Sequence, residues 1–138
     1  AALAGKGSQV LGNPDTLHTY TYVPDFARAL IVLGERDEAP GEVWHVPNAE
    51  TITTREMLGI IYELAGHEAK VMAAPKLLVN ALSLFNPMMR ELRETYYPFE
   101  KPFVVDHSKY EWAFGAQVTP HREALTATVD WYRSWSDA

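Results

Sequence analysis

The feature that most constrains the fold is the alternation of short β-prone runs with amphipathic helical segments along one chain of 138 residues. The β-prone runs are rich in β-branched and aromatic residues and are bounded by turn-forming residues. They are Gln9–Gly12, Leu17–Val23, Gly41–Val46, Ala69–Ala73 and Phe103–Val105. This alternation predicts an α/β domain. The runs are too short for a complete doubly wound sheet. We therefore expect a small mixed sheet with several helices, which packs against a larger body.

Local signals predict where the helices begin and end. Pro24 and Asp25 favour a helix start, and Gly34 is a plausible stop. The run from Thr53 to Glu56 fits a capping box, and Gly66 closes the helix that follows it. Further helices are predicted over Pro75–Phe85, over Pro87–Tyr96, between a cap at Asp106 and an end at Gly115, and after Thr119-Pro120 with Leu125, Val129, Tyr132 and Trp135 on the core face. Trp112 and Trp131 are expected to join the last two in an aromatic core cluster.

Composition excludes several classes of function. A net charge of −6 argues against a protein that tracks nucleic-acid phosphates. The absence of cysteine excludes disulfides, zinc–thiolate sites and thiol catalysis, and the five histidines show no close metal-binding spacing. No apolar run approaches the roughly 18 residues of a membrane span. The missing cysteines fit a reducing compartment, so we expect a cytoplasmic protein. With neither an initiator Met nor a signal pattern at its start, the chain is typical of a processed product or a fragment.

Three segments, in this order and spacing, resemble one known family. The first is Tyr22–Ala29, which is similar to a Tyr-Val-x-Asp-x-Ala strand-to-helix passage. The second joins Gly41–Val46 to the capped helix start at Thr51–Glu56. The third is the closing run that includes Val105–Lys109 and Thr128–Tyr132. Together they resemble the C-terminal, substrate-binding portion of the extended short-chain dehydrogenases/reductases, the NAD-dependent epimerase/dehydratase family.

The resemblance implies a division of labour with a part that is not in this chain. Residues 1–138 would form one substrate-binding domain, and a missing N-terminal half would bind NAD or NADP and carry the catalytic Tyr-x-x-x-Lys. Because this chain lacks both that pair and a glycine-rich loop in its proper setting, we expect it not to catalyse epimerisation, dehydration or hydride transfer alone. Its partners would be the missing half, a small-molecule substrate and, in isolation, a second copy of itself.

The segment His18-Thr19-Tyr20 is the first candidate for substrate binding. Sugar-nucleotide members of the family carry an Arg-Asp-aromatic sequence at the matching place, with the Arg on the substrate diphosphate. His18 cannot supply the forked, permanent charge of an arginine, so we expect a substrate that is not a nucleotide sugar. The alternative is that His18 and Tyr20 only pack within the strand.

The second candidate combines an adaptable methionine with a cation and two tyrosine hydroxyls, a mixture typical of partly apolar pockets. Its residues are Met89, Arg93, Tyr96 and Tyr97. A surface helix with an Arg90–Glu94 ion pair is the alternative.

Tyr97 and Lys101 also match Tyr-x-x-x-Lys by spacing, but Pro98 and Pro102 disfavour the single helical face that this pair needs.

Two other functions stay open: a dinucleotide-sensing regulator without turnover, and an autonomous domain that binds small ligands or partners.

Overall fold

The part of the chain that the structure describes includes four α-helices and four short strands with defined bounds. The computed structural model describes residues 1–74, 84, 86, 87, 90, 91 and 96–136. The strands are β1 (Ser8–Leu11), β2 (Leu17–His18), β3 (Ile52–Thr53) and β4 (Val71–Ala74). The helices are α1 (Val23–Glu35), α2 (Thr54–Ala65), α3 (Ser108–Phe114) and α4 (His121–Ser136), and short 3₁₀ turns cover Ala2–Ala4 and Tyr97–Phe99.

The strands form two separate pairs rather than one sheet. β1 and β4 are parallel, with Ser8 opposite Val71 and Leu11 opposite Ala74. β2 and β3 are antiparallel. Helices α1 and α2 both lie in the connection between β1 and β4, as a parallel pair requires. The predicted α/β class, with parallel and antiparallel pairing in a small amount of sheet, is confirmed.

Three predicted strands are shorter than expected or do not form. The run from residue 17 to 23 pairs only at Leu17–His18, and α1 already begins at Val23. The run from residue 103 to 105 makes one parallel bridge, between Phe103 and His18. The segment Gly41–Val46 forms no strand with any described residue. A strand needs a neighbouring backbone to satisfy its amides and carbonyls, and the described residues offer this segment none.

Helix α2 forms as its end signals predict. The Glu56 amide donates to the Thr53 hydroxyl over 3.1 Å, and the Glu56 carboxylate accepts from the Thr53 amide over 2.8 Å. Gly66 ends the helix with a φ of +79°, a left-handed conformation that glycine adopts without strain. On the inner face, Tyr62 is fully buried, and its hydroxyl bonds Ser8 over 2.9 Å and also bonds the Lys6 carbonyl. This side chain anchors α2 to the start of β1.

The prediction that the C-terminal aromatic residues are core was wrong for this chain. Val129 is buried as expected, but Trp131, Tyr132 and Trp135 are 57%, 50% and 70% exposed. Arg133 of α4 donates to the Leu64 carbonyl of α2. Because residues two apart on a helix point to nearly opposite sides, Trp131 and Trp135 face away from α2 and stack on each other. Trp112, on α3, is 91% exposed.

Other boundaries shift by a few residues. Helix α1 passes through Gly34 to Glu35, and α3 begins at Ser108 with His107, rather than the predicted Asp106, at its N-cap. The Asp106 carboxylate still accepts from the Ser108 amide over 2.9 Å. Most of the two helices predicted for residues 75–96 lies outside the described residues. No helix in the described part of the chain is long and apolar enough to cross a lipid bilayer.

Candidate functional site

An apolar chamber of about 500 Å³ lies between β1, β2, the start of α2 and the turn that follows Tyr96. It is the candidate site because it brings His18 and Tyr20 together with side chains from distant parts of the chain. Its described lining consists of Val10, Leu11, Asn13, His18, Tyr20, Thr54, Met57, Pro98, Phe99 and Phe103. This lining includes no Lys, Arg, Asp or Glu among the described residues.

His18 lies in the chamber wall between two backbone carbonyl oxygens, and a neutral ring, which has one N–H, donates to one of them. Its Nε2 lies 2.8 Å from the Pro98 carbonyl oxygen, and its Nδ1 lies 3.2 Å from the Thr16 carbonyl oxygen. Its backbone bridges Phe103, and the neighbouring Thr19 amide donates to the Phe103 carbonyl over 2.8 Å. His18 therefore ties β2 to the segment that carries the aromatic residues of the chamber.

Tyr20 and Met57 stand between the chamber and a second cavity. The Tyr20 hydroxyl lies 2.7 Å from the Thr54 hydroxyl at the start of α2. The second cavity, a groove of about 740 Å³, runs along residues 20–25 and the inner side of α4. Tyr20 and Met57 line both cavities, so a ligand in the chamber would lie directly beside the groove.

Gly12 sets the approach of the turn that carries Phe99. Gly12 has a φ of +70°, and a β-carbon there would lie 2.1 Å from the Phe99 carbonyl oxygen. The adjacent Asn13 amide donates to that carbonyl over 2.9 Å. Only a residue without a side chain permits this approach, so Gly12 positions one wall of the chamber.

Tyr96 also helps to hold Gly12 in its position beside the chamber. It is buried, and its hydroxyl accepts from the Gly12 amide over 3.0 Å and donates to the Ala74 carbonyl over 3.2 Å. The hydroxyl thus connects the ends of β1 and β4, and it is not a lining group of the chamber or groove. Tyr97, in the 3₁₀ turn, is 68% exposed and lines neither cavity. Lys101 lies beyond the end of that turn, so the two do not share one helical face.

The other predicted site residues, Met89 and Arg93, lie outside the described residues. Sequence reasoning missed much of the chamber wall: Val10, Leu11, Thr54, Met57, Phe99 and Phe103. Of these, Val10, Leu11 and Phe103 were assigned to strands, and Thr54 and Met57 to a helix, which describes their local structure but not the space that they enclose. The sequence signal that could have indicated this wall is the pair Gly12-Asn13, a turn at a strand end where another backbone segment can approach closely.

The nearest cation along α2 is already paired. Arg55, next to Thr54, holds Asp15 through two contacts of 2.6 and 3.1 Å. The hydrogen bond from Arg55 holds the pKa of the Asp15 carboxyl below its ordinary value. Gly5 and Gly7 do not form a phosphate-binding loop before a helix, because Gly5 ends a 3₁₀ turn and Gly7 leads into β1.

No protein-family model matches this sequence, and a comparison with curated proteins finds no match. Solved structures do match. A protein proposed to be an epimerase, from Burkholderia cenocepacia, is 24% identical with a TM-score of 0.69 over 96% of this chain. UDP-glucuronic acid 4-epimerase from Bacillus cereus, in complex with NAD, is 14% identical with a TM-score of 0.65 over 96% of this chain.

At these identities the likeness shows the fold. This chain spans 38% of the length of the first protein and 36% of the second. Its α/β architecture therefore matches one part of longer epimerase chains.

Proposed function

We propose that this chain is the substrate-binding lobe of an NAD(P)-dependent epimerase, dehydratase or oxidoreductase whose dinucleotide-binding half lies outside it. The observation that carries the proposal is the coverage: 96% of this chain aligns with little more than a third of two longer chains, one of them in complex with NAD. A lobe of this kind supplies the pocket walls, and the other half supplies cofactor and acid–base groups.

The surface of α1 supports a missing neighbour. One face of the helix, with Asp25 and Ala29, is buried. A second face carries Val23, Phe26, Leu30 and Ile31, which are 75%, 43%, 51% and 60% exposed. These four positions follow helical spacing and form one continuous strip, which we call the α1 strip. A helix with apolar residues on two faces is typical of a helix buried between two bodies.

The segment Gly41–Val46 supports the same proposal. No backbone amide of residues 42–46 donates to a described residue, and Val43 is 78% exposed. Its β-prone sequence favours a strand, but the strand has no partner within the described residues. We expect this segment to add to a sheet in the missing half, and the α1 strip to cover that sheet.

The chamber is the part of the lobe that faces substrate in this proposal. His18 and Tyr20 lie in its wall, where the sequence resemblance places substrate contacts. The missing half would bring the hydride-carrying cofactor to the substrate, and this chain would bind and orient the substrate. Without a permanent cation in the described lining, a substrate other than a nucleotide sugar is favoured.

The intact mass of the protein in its native source tests the proposal. A mass well above 15.5 kDa, with NAD or NADP binding to that long form, is the expected result. A long form that binds the dinucleotide but lacks Tyr-x-x-x-Lys would make the protein a regulator rather than an enzyme. A native mass of 15.5 kDa would overturn the proposal and leave an autonomous ligand-binding domain.

A further inference from the structure

We infer that the chamber takes an uncharged, apolar substrate group, a fused ring or a branched hydrocarbon, and excludes phosphate-bearing groups. The inference rests on the proposed function only in treating the bound group as part of a substrate. The chemical class of that group follows from the chamber itself. Three properties of its wall carry it: the carbon surface, the engaged polar atoms and the paired charges beside it.

Carbon surface comes from three parts of the described chamber wall. Val10 and Leu11 supply one wall from β1, Met57 supplies another from α2, and Phe99 and Phe103 supply the third. Phe99 and Phe103 are 36% and 55% exposed, so they offer apolar area that a ligand would cover. Aromatic edges and a flexible thioether adapt well to a ring or branched chain.

Several polar atoms of the described wall already contact other protein groups. The Tyr20 hydroxyl is bonded to Thr54, and both nitrogens of His18 lie on backbone carbonyls. The Asn13 side-chain oxygen accepts from the Asp15 amide over 3.0 Å. A phosphate placed here would exchange its water for one remaining hydroxyl donor and the Asn13 side-chain amide, with no cation in the described lining, and that transfer is unfavourable. An uncharged group loses little, because it has few hydrogen bonds with water to break.

The charges beside the chamber reinforce this selection. Arg55 would be the cation for a phosphate on this side, but Asp15 occupies its guanidinium in a two-contact pair. The pair carries no net charge, so this side of the chamber offers an anionic ligand little attraction. The volume of about 500 Å³ lies within the range of small-molecule pockets, roughly 300–1,000 Å³.

The test uses two probes on the purified chain: 2-acetonaphthone, an uncharged bicyclic ketone, and uridine diphosphate. Binding is followed by ¹H–¹⁵N NMR, with the amides of Leu11, Thr54 and Phe103 as reporters. We expect saturable shifts of these amides with the ketone and none with uridine diphosphate at the same concentration. Shifts with uridine diphosphate, or no saturable shifts with the ketone, would overturn the inference.

A matched pair of variants locates the binding. Phe103→Ser removes a chamber wall and should weaken ketone binding about tenfold. Phe26→Ser removes the same side chain at a position of the α1 strip that lines neither cavity, and should leave ketone binding unchanged. Equal loss in both variants would place the ketone elsewhere and overturn the inference. Ketone binding in the chamber, together with a native chain of 15.5 kDa, would retain the ligand class and reject the proposed function.

Discussion

Asp25 at the start of α1 accepts two hydrogen bonds from Thr119, which lies just before α4. The Thr119 amide donates to one carboxylate oxygen and its hydroxyl to the other, each over 2.7 Å. The carboxylate is buried, and Arg28 pairs with it from the next turn of α1. This one side chain therefore sets the position of α4 against α1 and borders the groove between them.

Replacing Asp25 should be costly because its removal leaves buried donors without an acceptor. We expect Asp25→Ala to lower the free energy of unfolding by about 3 kcal/mol, measured by urea denaturation. Asp25→Asn keeps one acceptor oxygen and should lose less. The control is Asp130→Ala, which removes an exposed i,i+3 ion pair with Arg133 and should change stability by less than about 0.5 kcal/mol. Similar losses in Asp25→Ala and Asp130→Ala would contradict this account of Asp25.

Two glycines should respond to alanine in opposite directions. Gly12→Ala places a β-carbon against the Phe99 carbonyl at positive φ, so we expect a loss of about 1–3 kcal/mol. Gly34 lies within α1 with no atom within 4 Å of its added β-carbon. Gly34→Ala should therefore stabilise the chain by about 0.5–1 kcal/mol. Thermal unfolding of both variants gives the sign directly, and a neutral Gly12→Ala would refute the close approach.

Loss of the hydroxyl should change the free energy of unfolding by different amounts at the adjacent residues Tyr96 and Tyr97. Tyr96→Phe removes a buried hydroxyl that connects Gly12 and Ala74, and we expect a loss of about 1–2 kcal/mol in unfolding free energy. Tyr97→Phe, at an exposed side chain, should stay within about 0.5 kcal/mol of the native chain. If ligand binding falls in Tyr97→Phe while stability does not, Tyr97 contacts ligand in the assembled protein. A stable Tyr96→Phe that loses ligand binding would give Tyr96 the role predicted from sequence.

Local signals were the part of this fold that sequence could predict. The capping box at Thr53 and the left-handed Gly66 act through neighbours within a few residues, so the sequence contains all that determines them. Strand pairing is not local in this way. The β-prone run 41–46 was predicted as a strand, but whether it pairs depends on a second backbone that the described residues do not provide.

The candidate site likewise contains residues that the sequence could identify and residues whose place depends on distant parts of the chain. His18 and Tyr20 could be named because their segment resembles a family passage, and both line the chamber. Phe99 could not be named, because its place depends on the approach of residues 97–99 to Gly12 from far along the chain. Tyr96 was predicted as a pocket residue from its type, but only the fold shows its hydroxyl between two strand ends.

The capping box predicts an acid-dependent contribution to stability. The backbone amide of Thr53, and then its hydroxyl, hold the pKa of Glu56 below its ordinary value of 4.5. A carboxyl whose pKa is lower in the folded chain stabilises it above the unfolded value, and that contribution disappears as the pH falls through the lowered pKa. We expect Glu56→Gln to flatten the decline in unfolding free energy between pH 7 and pH 3.

Thr53→Ala removes the partner of Glu56 and should cost about 1 kcal/mol at pH 7. Because both changes remove one reciprocal pair, the double variant should flatten the pH dependence no more than Glu56→Gln alone. Denaturant unfolding at several pH values measures all three. Additive flattening in the double variant would mean that the two side chains act separately.

The α1 strip gives the last prediction, because apolar area left exposed by a missing neighbour should promote self-association. We expect the isolated chain to associate with rising concentration, and Ile31→Lys to shift it toward monomer by placing a charge within the strip. Val104→Lys is the matched control, since Val104 and Ile31 are both 60% exposed and Val104 lies outside the strip. Sedimentation velocity measures the association, and urea denaturation checks that each lysine changes stability by less than about 0.5 kcal/mol. A native chain that stays monomeric at all concentrations, or an equal effect of both lysines, would mean that the strip is ordinary surface. The case for a missing half would then rest on the coverage of the longer epimerase chains alone.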